Sequence, residues 1–194
     1  MTPAEWKKSL RNEKKALRRS ISADERYRAD RKICETILSL PQVESFSSLV
    51  SFVSDGSEPD LTSVMQRFLK KDRLLCLPRF ITPEQYGIVI ADNLHLTAEK
   101  WGIPEPGPEA REASPEILRN ALWLVPGVAF DEHGGRLGRG KGIYDRLLAS
   151  SGAGFTIGVF YECQKCGFLP LEEHDRPLDM IVTEKAVYGP FSEK

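Results

Sequence analysis

The sequence predicts an α/β fold, with a mostly parallel central sheet flanked by helices on both faces, and three observations carry that expectation. Short β-prone runs at 48–53, 73–77, 87–91, 121–125, 156–160 and 180–183 are interleaved with helical stretches, as in strands joined by crossover helices. The run at 121–125, Ala-Leu-Trp-Leu-Val, is apolar throughout, as a strand covered on both faces must be. The 194 residues are 41% hydrophobic and 28% charged, enough to bury about 70% of the surface that the unfolded chain exposes. No internal repeat or low-complexity tract divides them. A single Rossmann-like, three-layer domain over 1–194 is expected.

Each element has its own warrant. Residues 4–20 lack Gly and Pro and place Trp6, Leu10 and Leu17 on a helical period, so a charged, basic N-terminal helix is expected. Ser22 and Glu25 stand at capping-box spacing, and a second helix should run over 23–40 until Pro41 stops it. Asp60 should cap a helix in which Leu61, Val64, Met65, Phe68 and Leu69 form an apolar stripe. The strand at 73–77 should end at Pro78, which has no N–H for a ladder. Four prolines within 103–115 read as a surface loop. A helix is expected over 143–150.

Composition narrows the function classes. The longest apolar run, 121–130, is interrupted by Pro126 and Gly127 and is too short for a bilayer. The lysines and arginines after residue 6 are followed by no apolar core, so no secretory signal is expected and the cytoplasm is the expected address. Cys163 and Cys166 form the one Cys-x-x-Cys pair, with no second pair or suitably spaced histidine to complete a zinc set. The cysteines therefore read as small apolar fillers in a reducing compartment. Residues 1–32 hold eleven Lys and Arg against five Asp and Glu, a net +6 set against −7 over the rest of the chain. Such an arm could bind nucleic acid or fold back onto an anionic ligand. With no interleaved aromatics or nucleic-acid motif, no nucleic-acid partner is expected.

The most informative stretch is Gly134-Gly135-Arg136-Leu137-Gly138-Arg139-Gly140-Lys141-Gly142-Ile143-Tyr144-Asp145-Arg146. Glycines let backbone N–H groups approach a ligand, and a following helix N-terminus adds a favourable dipole for anions. The interleaved Arg136, Arg139, Lys141 and Arg146 point to phosphate. Gly135 to Lys141 has P-loop spacing, but Gly142 stands where a magnesium-binding Ser or Thr is required. Ile143 stands where a dinucleotide fingerprint needs glycine. Neither template fits.

Other candidates surround it. Asp145, with Asp175 and Asp179 in the 173–179 block, could hold magnesium on a phosphate, or cap helices and face solvent. Glu58, just after a strand end, could read a substrate N–H pattern or be a solvated charge. Lys7 and Arg11 share one helix face and could close over phosphates. Trp101 could stack on a flat ring or plug a core edge. His174 has no visible catalytic partner.

The run Pro126-Gly127-Val128-Ala129-Phe130-Asp131, followed by Gly135-Arg136-Leu137-Gly138-Arg139-Gly140-Lys141-Gly142-Ile143-Tyr144-Asp145, closely resembles the signature of the 5-formyltetrahydrofolate cyclo-ligases, or methenyltetrahydrofolate synthetases. Lys7-Lys8-Ser9-Leu10-Arg11, the 52–58 stretch, Leu77-Pro78-Arg79, Trp101-Gly102-Ile103-Pro104 and the 173–184 block follow in the matching order. The resemblance implies an ATP-dependent cyclisation of 5-formyltetrahydrofolate with magnesium as cofactor. It implies that Lys7, Arg11, Arg136, Leu137, Gly138, Arg139, Gly140, Lys141, Gly142, Ile143 and Tyr144 contact ATP. Val53, Glu58, Trp101 and the 139–143 stretch would line the folate pocket. Arg139 and Lys141 would be catalytic, and Asp145 and Asp175 would hold the metal. ATP and 5-formyltetrahydrofolate are the implied partners, with no membrane and a monomeric chain expected. Ile143 departs from the family, where a tyrosine is frequent. A different ATP-dependent phosphotransferase and a non-catalytic folate- or nucleotide-binding protein are the alternatives.

Overall fold

The chain is described by a computed structural model covering residues 2–82, 85–98, 102–170 and 176–191. Helices α1 (Pro3–Ser20) and α2 (Ala23–Ser39) each start with a complete capping box, Thr2 with Glu5 and Ser22 with Glu25. They are followed by α3 (Pro41–Ser45), β1 (Ser48–Val50), α4 (Thr62–Lys70), β2 (Leu74–Thr82), β3 (Gln85–Ile90), β4 (Thr97–Ala98), β5 (Pro104–Glu105) and α5 (Pro115–Arg119). The second half comprises β6 (Leu122–Val125), β7 (Ala129–Phe130), β8 (Arg136–Leu137), α6 (Ile143–Ser151), β9 (Phe155–Val159), a 3₁₀ turn (Glu162–Gln164), β10 (Met180–Val182) and β11 (Val187–Tyr188).

Seven strands form one sheet in the order β11-β10-β9-β6-β1-β2-β3. The five inner strands are parallel, and the two margins are antiparallel. In β6, Leu122 and Leu124 enter one core with α2 and α4 residues, while Trp123 and Val125 enter the opposite core with α6 residues. That two-sided alternation explains why the strand reads as continuously apolar. The expected three-layer α/β fold is what the chain adopts.

Several expectations need correction. Pro78 does not end its strand, because β1 pairs β2 only as far as Cys76, and Pro78 lies opposite Ile88 of β3. Past the end of β1, its missing N–H costs no ladder bond there. Asp60 is one position too early to flank α4; its Oδ1 accepts from the Thr62 N–H at 2.9 Å and the Thr62 hydroxyl at 2.6 Å. The proline-rich stretch contains β5, which pairs with β4, and ends at α5. On α1, Leu17 is exposed, whereas Lys14 and Arg18 are buried beside Leu10. The inward face of that helix is partly charged, so an apolar period does not find it.

Candidate active site

Strands β1 and β6 are neighbours, yet the chain winds from β1 to β2 on one side and from β6 to β9 and β10 on the other. Their carboxyl ends therefore flank the crevice where open parallel sheets bind ligands. From β1 the chain turns through Ser51 to Glu58. From β6 it runs through Pro126 and Gly127, the β7–β8 hairpin and the glycine segment into α6.

The glycine segment has a buried part and an exposed part. Residues 134–137 are buried, whereas Arg139, Gly140 and Lys141 are exposed. Asp131 organises the buried part: Oδ1 accepts from the N–H groups of His133 (2.9 Å) and Gly135 (2.8 Å), and Oδ2 from Leu169 (2.8 Å). Leu137 packs with Leu10 of α1, Ala129 and Leu169, and its carbonyl accepts from the Val128 N–H at 2.8 Å. Its side chain is core. Arg136 is buried and ion-paired with Asp145 in the first turn of α6. In the exposed part, Gly140 has φ +95° and Gly142, flanking α6, has φ +60°. The Arg11 Nε donates to the Gly138 carbonyl at 2.9 Å, tying α1 to the loop.

Arg139 reaches across the crevice to the turn after β1. Its Nη2 pairs with Asp55 and lies 2.7 Å from Glu58 Oε1. Glu58 is only 6% exposed. Burial pushes its carboxyl above the usual range, against the opposing pull of Arg139 and Arg18. Burial also works to raise Asp55, but hydrogen bonds from Ser57 and the charges of Arg139 and Arg18 outweigh it and bring Asp55 to about 2. The backbone of the turn is held as well. Ser54 Oγ donates to the Glu58 carbonyl at 2.7 Å, and the Glu58 N–H donates to Asp55 Oδ1 at 3.0 Å. On α6, burial and then the Glu58 charge push the Tyr144 phenol up.

Lys7, Arg11, Glu58, Arg139 and Tyr144 thus come from three separate parts of the chain. Lys7 is half-buried, one helical turn before Arg11. Val53 and Ile143 are half-buried against the two cores. Asp179 serves the sheet: its Oδ2 accepts from the Thr156 N–H at 2.7 Å and hydroxyl at 2.6 Å. Trp101, His174 and Asp175 lie outside the described residues. Among the described residues no three His, Cys, Asp or Glu side chains cluster as a metal site. Cys34, Cys76, Cys163 and Cys166 are free thiols; Cys166 donates to the Phe130 carbonyl at 3.2 Å. No helix among the described residues is long and apolar enough to cross a membrane.

Sequence reasoning missed Arg18, Asp55, Ser57 and Asp131. Arg18 had a usable signal, because positions 7, 11 and 18 share one helical face. Lys15 lies on that face too. Burial, followed by repulsion from Arg139, Arg18, Arg11 and Arg19, pulls its ammonium down. The crevice therefore concentrates positive charge where an anionic ligand would neutralise it.

A family model described as the 5-formyltetrahydrofolate cyclo-ligase family matches residues 3–184. The 5-formyltetrahydrofolate cyclo-ligase of Mus musculus is 28% identical over 193 residues, with 92% of this chain and 93% of that protein covered. A probable 5-formyltetrahydrofolate cyclo-ligase of Caenorhabditis elegans is 30% identical over 197 residues, covering 93% of each. The NMR structure of Aquifex aeolicus 5,10-methenyltetrahydrofolate synthetase superposes with a TM-score of 0.83 at 33% identity, over 97% of this chain and 94% of that one. With its signature segment folded at the sheet's crevice and nearly its whole length matched, the chain belongs to the 5-formyltetrahydrofolate cyclo-ligase family.

Proposed function

We propose that this crevice converts 5-formyltetrahydrofolate and ATP to 5,10-methenyltetrahydrofolate, ADP and phosphate. The observation that carries the reading is the meeting of Arg139, from the glycine segment, with the buried Glu58 carboxylate at 2.7 Å. It puts the phosphate loop next to a group suited to recognising N–H donors of a pterin. In this reading Lys7, Arg11 and residues 136–144 surround ATP, with Leu137 contributing through its backbone neighbourhood. Val53, Glu58, Trp101 and residues 139–143 line the folate side.

A formyl amide oxygen is a poor leaving group. Transfer of the γ-phosphoryl group to that oxygen releases ADP and makes an imidate phosphate. The position-10 nitrogen then attacks the activated carbon and loses its proton, and phosphate departs as the ring closes. Such a transfer needs alignment and charge neutralisation more than a nucleophilic side chain. Arg139 and Lys141 supply charge at the transferring group, the 138–142 amides supply donors, and α1 lies over the site through Arg11.

Magnesium is part of this proposal, with Asp145 exchanging its pairing with Arg136 for the metal. Asp145 opens α6 beside the loop, and magnesium needs only one or two protein carboxylates when phosphate oxygens and water complete its shell. Asp145 would hold it, with Asp175 as the second carboxylate. Bound magnesium would neutralise charge on the phosphate oxygens. A monomer working in the cytoplasm is proposed, in keeping with the free thiols.

The direct test is the near-ultraviolet absorbance of the methenyl product after mixing the chain with 5-formyltetrahydrofolate, ATP and magnesium. An ATP-dependent rise is expected. Its absence overturns the reading.

A further inference from the structure

The acidic turn after β1 holds two carboxylates, and two arginines face them from different supports. Arg139 belongs to an exposed loop, and its side chain is 43% exposed. Arg18 belongs to α1, and its side chain is 4% exposed. Arg18 Nη2 donates to Ser57 Oγ at 2.7 Å and Nη1 to the Gly127 carbonyl at 3.3 Å. The same guanidinium lies 3.7 Å from both Asp55 and Glu58. It therefore bridges the chain leaving β1 and the chain leaving β6, across the crevice itself. Arg26 of α2 fixes this bridge, donating to the Ser57 carbonyl at 2.8 Å and the Arg18 carbonyl at 3.1 Å.

We propose that Arg18 is a positioning residue for Glu58, a fixed counter-charge that keeps this carboxylate ionised and aimed at the folate when Arg139 leaves it for the transferring phosphoryl group. The inference rests on the folate-facing role of Glu58 proposed above. Arg139 cannot serve Glu58 and the phosphate equally well at once. A carboxylate as enclosed as Glu58, left without a cation, takes up a proton and loses its value as an acceptor for substrate N–H groups. Arg18 does not have to move to prevent this. Its place on a packed helix, and its fork on Ser57 and Gly127, hold its charge near Glu58 whatever Arg139 does.

The groups facing Glu58 are Arg139 from the glycine segment, Arg18 from α1, Asp55 from its own turn and Tyr144 from α6. The Tyr161 hydroxyl reaches the Glu58 carbonyl at 3.4 Å and donates to Asp30 at 2.6 Å. Asp55 is held near 2 and both phenols are raised. Burial raises Asp30 as well as Glu58, so Glu58→Gln is needed to assign the titration.

The experiment titrates the full-length chain with 5-formyltetrahydrofolate between pH 5 and 8.5, alone and with saturating magnesium and a non-hydrolysable ATP analogue. In Arg18→Met, folate binding should weaken about tenfold with the analogue and less than about threefold without it. The pH below which affinity falls should rise by about one unit, the same tenfold factor expressed on the pH scale. Arg18→Lys should bring the midpoint and the affinity back together, and Glu58→Gln should remove both the pH dependence and the Arg18→Met increment. Analogue affinity should be unchanged. If Arg18→Met does not fold, Arg18→Gln and Arg18→Lys carry the same comparison. Equal losses with and without the analogue, at an unmoved midpoint, overturn the proposal while leaving the activity intact. A wild-type chain that binds no 5-formyltetrahydrofolate overturns the functional reading and the inference with it.

Discussion

The two halves of the glycine segment use the same residue type for opposite purposes. In the first half, a Cβ on Gly135 would come within 2.7 Å of Asp131 Oδ2. That carboxylate is pinned by three backbone N–H groups, so it cannot withdraw. Glycine is required there because the interior is full. In the second half, the atoms nearest to a Cβ on Gly140 would be those of the Arg11 guanidinium, no nearer than 3.5 Å. Glycine is required there because the backbone has φ +95°, a conformation that L side chains disfavour. One half closes the fold, and the other leaves amides and charges facing the crevice. Stability should follow the first and turnover the second.

The largest expected effect is catalytic. Lys141→Ala should lower kcat by about 100-fold or more, as loss of a transition-state charge partner does elsewhere, with the melting temperature nearly unchanged. Near-normal turnover in that variant would mean that the exposed half is not the phosphate clamp. Gly135→Ala should do the reverse, costing about 1–3 kcal/mol by overpacking and several degrees of melting temperature in a chain of this size. Gly140→Ala sits between them. Its strained backbone should cost about 1 kcal/mol, while kcat falls by a larger factor because the neighbouring amides lose their aim. Equal melting losses for Gly135→Ala and Gly140→Ala, measured by calorimetry, would erase the distinction between the halves.

What could be read in advance follows a physical divide. Patterns that repeat locally were legible: the capping box of α2, the continuous apolar run of β6, and the density of glycine and positive charge before α6. Glu58 was legible as a carboxylate after a strand end. Features defined by distant partners were not. Arg18 shares a helical face with Lys7 and Arg11, but that periodicity does not show that it is buried, which only the crevice covering it reveals. Asp131 is bound to its own loop and to Leu169, which is far along the chain. Strands β7 and β8 have two residues each, too few to show a period. Pro78 misled because its effect depends on where β1 stops, which the residues around it do not encode.

The smallest expected effect concerns Asp55, which together with Glu58 pairs with Arg139 and ties the exposed half to the acidic turn. Asp55 has a folded-state value of about 2, below the ordinary 3.8. Its contribution is therefore fully present above pH 4 and is lost as pH falls from there through about 2. Burial opposes that depression, the Ser57 hydrogen bonds oppose burial most strongly, and Arg139 and Arg18 follow. Removing Arg139 should consequently trim the acid-induced loss without abolishing it. The side chain of Arg139 is 43% exposed, and pairs of that kind contribute little because solvent screens them. Urea unfolding at pH 7 and pH 3 should show a smaller stability difference for Asp55→Asn than for wild type, with Arg139→Met between the two and close to wild type. An Arg139→Met profile matching Asp55→Asn would mean that the arginine, rather than the Ser57 hydrogen bonds, sets the Asp55 charge. The exposed half would then stabilise the fold as well as grip phosphate, and the separation between the two halves would fail.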